Sequence, residues 1–114
     1  MVVNNNFPFN EDKINENNNY QEFLRTFSFN LNNNELIWHL DKEDRLIKII
    51  QTDNWFFQIE NELPVKLLIN DQILIKKETW HRLINNNAKN DLIINLIKSI
   101  FFISLFSLVI DSAK

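Results

Sequence analysis

The sequence predicts an all-β fold, a sandwich or barrel of short antiparallel strands. Three observations carry that reading. Apolar and polar residues alternate with period two in several segments, Asn and Asp turn signals recur between them at close spacing, and almost no helical periodicity intervenes. A barrel that closes those strands on themselves also removes exposed sheet edges.

Residues 1–19 are polar, Asn-rich and interrupted by Pro8, and read as an N-terminal arm rather than a core element. From Tyr20 the chain turns strand-like, with Phe23, Phe27 and Phe29 flanking a segment that ends at an Asn32-Asn33-Asn34 turn. The next segment, Glu35 to Asp41, carries His39 and Asp41 two residues apart, on one face of a regular strand, with Trp38 facing the other way. Ile47 and Ile49 share a face with Lys48 opposite; Trp55, Phe57 and Ile59 share a face with Gln58 and Glu60 opposite. Asp53-Asn54 lies between these two strands at hairpin spacing. Asn61-Glu62 turns the chain again before Val65, Leu67 and Ile69, and Asn70-Asp71 precedes Ile73 and Ile75. Lys76-Lys77-Glu78 then leads into a strand carrying His81, closed by Asn85-Asn86-Asn87.

The last apolar stretch reads two ways. Leu92 to Ser99 fits a final barrel strand, which leaves residues 99–114 as an apolar tail. Leu92 to Ile110 also approaches the length of a membrane-spanning helix, but Lys98 falls near its middle, where a cation costs about 2.5 to 3.5 kcal/mol on insertion scales. That penalty weighs against a membrane contact through the tail and favours a buried edge strand or a homodimer interface.

The chain has 114 residues, the size of one domain with a single core, placed here at residues 20–98. Its formal charge of −3 with mixed signs lacks the clustered basic stripe of a nucleic-acid binder, so no nucleic-acid partner is expected. No cysteine is present, which excludes disulfides, thiolate nucleophiles and zinc-thiolate sites and leaves imidazole and carboxylate as the metal donors. The start, Met1-Val2-Val3 running into three asparagines, lacks the basic and apolar regions of a secretory signal, so the expected location is cytoplasmic. Glycine is absent as well, and asparagine, which tolerates the left-handed backbone region better than other residues with a β-carbon, is its natural substitute at turns.

The chain's two histidines each follow a tryptophan, in Trp38-His39 and Trp80-His81. A barrel that brings them together with Asp41 and Asp44 forms a candidate metal site. Neutral imidazoles and ionised carboxylates of this kind suit Fe(II), Mn(II), Zn(II) or Ni(II), and affinity order alone does not choose among them. Arg45 is a candidate contact for a small polar or anionic ligand, with Trp55 and Phe57 as candidate ligand-facing aromatics. A blander reading stands beside each. Asp41-Lys42-Glu43-Asp44-Arg45 also reads as a solvated, charge-paired turn worth about 0 to 1 kcal/mol per pair. The histidines also read as barrel residues hydrogen-bonded to Asp41 or to backbone, Arg45 and Arg82 as surface charges, and Trp55, Phe57 and Trp80 as core. No glycine-rich phosphate loop, serine nucleophile elbow or paired-histidine helix competes.

Residues 20–98 resemble the small single-domain cupins, the double-stranded β-helix family. That family's first motif has two histidines one residue apart and an acidic residue four or five further on. Its second has glycine, proline, glycine, histidine, and an asparagine four residues later. Here His39 matches the first histidine, Asp41 stands where the second would be, Asp44 lies near the acidic position, His81 matches the later histidine and Asn85 falls four residues beyond it. The stretch from Leu68 to His81 looks like the second motif with its glycines and proline replaced. The resemblance implies a cupin-like barrel with a metal in its mouth and, for an enzyme, isomerase or oxygenase chemistry. The departures imply two alternatives: a non-catalytic binding or assembly module, or a degenerate cupin that has kept its fold and lost its metal. The sequence names no reaction.

Overall fold

A computed structural model describes residues 9–30 and 36–99 of the chain. The Asn32-Asn33-Asn34 turn, the first eight residues and the tail beyond residue 99 lie outside the described residues. Eight strands follow in order: β1 (Asn10–Glu16), β2 (Tyr20–Phe27), β3 (Arg45–Gln51), β4 (Trp55–Ile59), β5 (Val65–Lys66), β6 (Gln72–Ile75), β7 (His81–Asn85) and β8 (Leu92–Ser99). They form a five-stranded antiparallel sheet in the order β1-β2-β8-β3-β6 and a three-stranded one in the order β5-β4-β7.

Strand alternation decides which faces meet. Phe23 and Phe27 of β2, Ile47 and Ile49 of β3, Ile75 of β6 and Leu92, Ile94 and Leu96 of β8 form one apolar cluster with Trp55 and Phe57 of β4. The two sheets therefore share a single core, and the cupin-like all-β fold expected from the sequence is present. The hydrogen-bonded ladder does not close around that core among the described residues, so the architecture is a pair of facing sheets rather than a sealed barrel. Trp55, Ile49, Leu67, Leu92 and Leu96 are almost wholly buried, each contributing roughly 1.5 to 3 kcal/mol through removal of apolar surface from water.

Asparagine does take the left-handed turn positions: Asn54, Asn61, Asn70 and Asn87 have φ of 48°, 66°, 72° and 57°. Glu78 joins them at φ 60°, a costlier choice for a longer side chain.

Four local expectations are corrected. Residues 10–16, read within a polar arm, form β1 along the β2 edge; every side chain there is exposed, so no hydrophobic alternation marked the strand. Asp53-Asn54 does not close a hairpin, because β3 is already paired on both edges, with β6 and β8, and β4 joins the other sheet. The link is tied instead to the β7–β8 turn, where Asp53 Oδ2 accepts from the Lys89 and Asn90 amides at 2.6 and 3.1 Å. Beyond Asn61-Glu62 the strand stops after two residues, and Leu67 alone turns inward while Val65 and Ile69 stay 63% and 60% exposed. Finally, the His39 segment is no regular strand: His39 forms a single bridge to β7.

Candidate metal centre

β7 is an edge strand of the smaller sheet, and its first residue, His81, pairs with Ile59 of β4 on one side. On the other side His39 supplies the bridge, its amide donating to the His81 carbonyl at 3.0 Å and the His81 amide donating back to the His39 carbonyl at 2.9 Å. The next turn of chain is fixed by the Glu78 amide, which donates to the Asp41 carbonyl at 2.7 Å. These backbone contacts bring His39, Asp41 and His81 together. One candidate ligand atom from each lies within 4.8 Å of the others.

The rings are oriented by their own strands. Nδ1 of His39 lies 3.0 Å from the Ile37 carbonyl and Nδ1 of His81 lies 2.8 Å from the Thr79 carbonyl. A carbonyl only accepts, so each Nδ1 carries the proton and, in the neutral ring, each Nε2 presents a lone pair. The two rings meet edge to face with centroids 4.3 Å apart, and Phe57 packs against His81 at 5.8 Å from inside the core. Burial of His81 disfavours its charged form and holds its pKa below the usual imidazole value. The Thr79 carbonyl opposes that shift, the His39 ring adds to it, the Asp41 carboxylate opposes it and the Arg45 cation adds to it.

Asp41 completes the set and shows what it lacks. Oδ1 faces the Arg45 guanidinium, with Nη2 at 3.3 Å, while Oδ2 is buried and has no hydrogen-bond partner. Oδ2 sits 3.4 Å from His81 Nε2. With neutral His81 both of these atoms are acceptors, and an unsatisfied buried acceptor costs about 1 to 3 kcal/mol. A cation between them removes that cost. Ligand atoms held about 2 Å from a common ion lie within roughly 4 Å of one another, so a small side-chain rotation closes this set on a divalent metal. Two imidazole nitrogens and one carboxylate fit such an ion and leave a coordination position open.

The other expected site residues fall elsewhere. Asp44 is outside the cluster; its Oδ1 accepts from the Lys77 amide at 2.8 Å and so fixes the β6–β7 connection. Trp55 is fully buried in the core, with its indole N–H donating to the Asn90 carbonyl at 2.9 Å. Phe57 is likewise core, forming the wall behind His81. Arg45 does border the cluster, held by Glu43 at 2.7 Å and by Asp41. Arg82 lies away from it, donating to Gln58 and stacking over the Trp38 ring at 4.7 Å. Asn85, at the motif's asparagine position, is structural: its Nδ2 donates to the Phe29 carbonyl and its Oδ1 accepts from the Ala88 amide.

One residue the sequence reading passed over is Lys98. It continues the inward face of β8 set by Leu92, Ile94 and Leu96 and pairs in register with Arg45 of β3. The alternation ending at Leu96 was the signal for it.

No protein-family model matches the sequence and no curated protein is similar to it. Solved structures are similar. A cupin-2 domain containing protein from Shewanella frigidimarina is 19% identical, with a TM-score of 0.61 and 79% of each chain covered. An RmlC-like cupin family protein with a double-stranded β-helix fold from Methanocaldococcus jannaschii is 11% identical, with a TM-score of 0.64 over 87% of this chain and 86% of that one. A DMSP lyase from Ruegeria pomeroyi is 11% identical, with a TM-score of 0.67 over 87% of this chain and 50% of that one. The chain has the cupin fold.

Proposed function

We propose that this cupin-fold chain binds a divalent metal ion through His39, Asp41 and His81, and that a small polar or anionic ligand meets the ion at its open position. The observation that carries the reading is the buried Asp41 Oδ2, left without a hydrogen bond and facing the His81 Nε2 lone pair at 3.4 Å. When bound, such an ion polarises a ligand oxygen. The chain's own residues do the rest. The Ile37 and Thr79 carbonyls engage both Nδ1 atoms and leave both Nε2 atoms as donors, Arg45 holds the carboxylate in position, and Phe57 keeps water from the back of His81.

Three protein donors with no fourth side chain among the described residues are the pattern of a catalytic rather than a structural site. Among the described residues, the acidic neighbours in sequence are both engaged, Glu43 with Arg45 and Asp44 with the Lys77 amide. The choice among Fe(II), Mn(II), Zn(II) and Ni(II) follows from which ion binds. Metal analysis of purified protein, with titration of each ion into chelator-treated chain, is the direct test. Wild-type protein is expected to take up one equivalent and the His39→Ala and His81→Ala variants to lose it. Full metal content in both variants overturns the reading.

A further inference from the structure

Beside the metal cluster the inward face of the larger sheet carries a row of cross-strand partners: Gln21 of β2, Lys98 of β8, Arg45 of β3 and Ile75 of β6. Two cations thus stand directly opposite each other on neighbouring strands, an arrangement that destabilises a sheet unless opposite charge intervenes. Arg45 has that charge, with Nη2 held by Glu43 and Asp41. Arg25, one strand further and on the same face, is ion-paired with Glu11 and stacked over the Phe9 ring. Lys98 differs from both. Among the described residues no carboxylate pairs with its ammonium, which sits 4.8 Å over the Phe23 ring, half-buried, with its donors unused.

We propose that Lys98 is the anion-binding residue of this site, taking through its ammonium group the carboxylate of a small organic acid lodged beside His39, Asp41 and His81. The inference rests on the proposed metal site for the position of the ligand's other end. The chemistry around Lys98 selects the class. A lone ammonium on an aromatic floor satisfies a monoanionic carboxylate attached to a short apolar body. A phosphate dianion needs several donors, and the two guanidinium groups able to supply them are already engaged by Glu11 and by Glu43 with Asp41. Charge points the same way. Arg25, Arg45 and Lys98 are balanced by Glu11, Asp41 and Glu43, so a divalent ion leaves this end of the fold positive and in need of an anion. Burial first, and then the neighbouring Arg45 cation, hold the Lys98 pKa below its usual value against the opposing pull of the Glu11 and Glu43 carboxylates.

The test is an amide-resolved NMR titration of the full chain with propionate and, in a parallel arm, inorganic phosphate, each with and without Zn(II). Wild-type protein is expected to show saturable propionate binding that perturbs the Lys98 and Phe23 amides. Lys98→Met keeps the apolar stem over Phe23 and removes the charge, and is expected to weaken binding about 10- to 100-fold, the range of a charged hydrogen bond. Lys98→Arg restores it, while Lys66→Met, on exposed β5, leaves it unchanged. Equal affinity in wild type and Lys98→Met, or phosphate bound more tightly than propionate, overturns the proposal. A chain that takes up no Zn(II) yet binds propionate through Lys98 sinks the metal reading alone.

Discussion

His39 and His81 exchange two main-chain hydrogen bonds and bring their rings within 4.3 Å of each other. The juxtaposition is therefore set by backbone pairing and not by the side chains finding one another. That matters energetically. Each imidazole also has Nδ1 anchored on the carbonyl two residues before it, so the donor atoms are positioned before any ion arrives.

The two histidines contribute unequally to the fold, which separates their mutants. His39 is exposed and His81 is buried against Phe57. His39→Ala is expected to change the stability of the metal-free chain by no more than about 0.5 kcal/mol, the range for exposed substitutions. Its metal affinity should fall by more than about 100-fold, since loss of even a supporting residue costs 10- to 100-fold. Calorimetric metal titration set beside urea unfolding checks both values, and a destabilised His39→Ala chain with intact metal binding contradicts the assignment.

Asp41→Asn keeps the shape of the carboxylate and changes its chemistry. An amide Nδ2 donates to the His81 Nε2 lone pair and satisfies both atoms, while Arg45 retains Glu43. The metal-free variant should be within about 1 kcal/mol of wild type or more stable, because the exchange trades one ion pair for one hydrogen bond. Its thermal shift on adding Zn(II) or Ni(II) should vanish. A lower metal-free Tm with a preserved metal shift is the opposite result.

Much of this was legible in the sequence, and the failures have physical causes. Period-two alternation located β3 and β4 because each buries one face in the shared core. The asparagine turns were legible because a chain without glycine has few other residues for positive φ. β1 was not, since a wholly exposed edge strand buries no apolar face and is held by backbone and polar side-chain hydrogen bonds. Of the four candidate ligands, the structure brings His39, Asp41 and His81 together and leaves Asp44 apart, because a carboxylate that accepts from a turn amide looks the same in sequence as one free to bind an ion. Lys98 was missed because the sheet partner that gives it meaning, Arg45, lies on a strand far away in sequence.

Trp55 separates core from site. Trp55→Phe removes the indole N–H and leaves the Asn90 carbonyl without that donor, at a cost of about 1 to 3 kcal/mol in urea unfolding. Metal affinity should be unchanged, because the ring packs with Phe27 inside the core and touches none of the three donors. A large loss of metal affinity at intact stability returns Trp55 to the site.

The last prediction concerns pH in the metal-free chain. The His81 pKa is lowered in the fold, chiefly by burial, relative to about 6.5 for an unperturbed histidine. Between those two values the unfolded chain binds a proton that the native chain does not, so stability rises with pH through this window. Stability is full above about pH 6.5 and is progressively lost as pH falls through the native pKa of His81. Melting temperatures measured from pH 7.5 to 5 should fall for wild type and fall less for His81→Gln, which has no imidazole to charge. The same protonation removes the Nε2 lone pair, so metal should protect most at the upper end of the range. Parallel melting curves for the two proteins across the whole range place the acid sensitivity on another group.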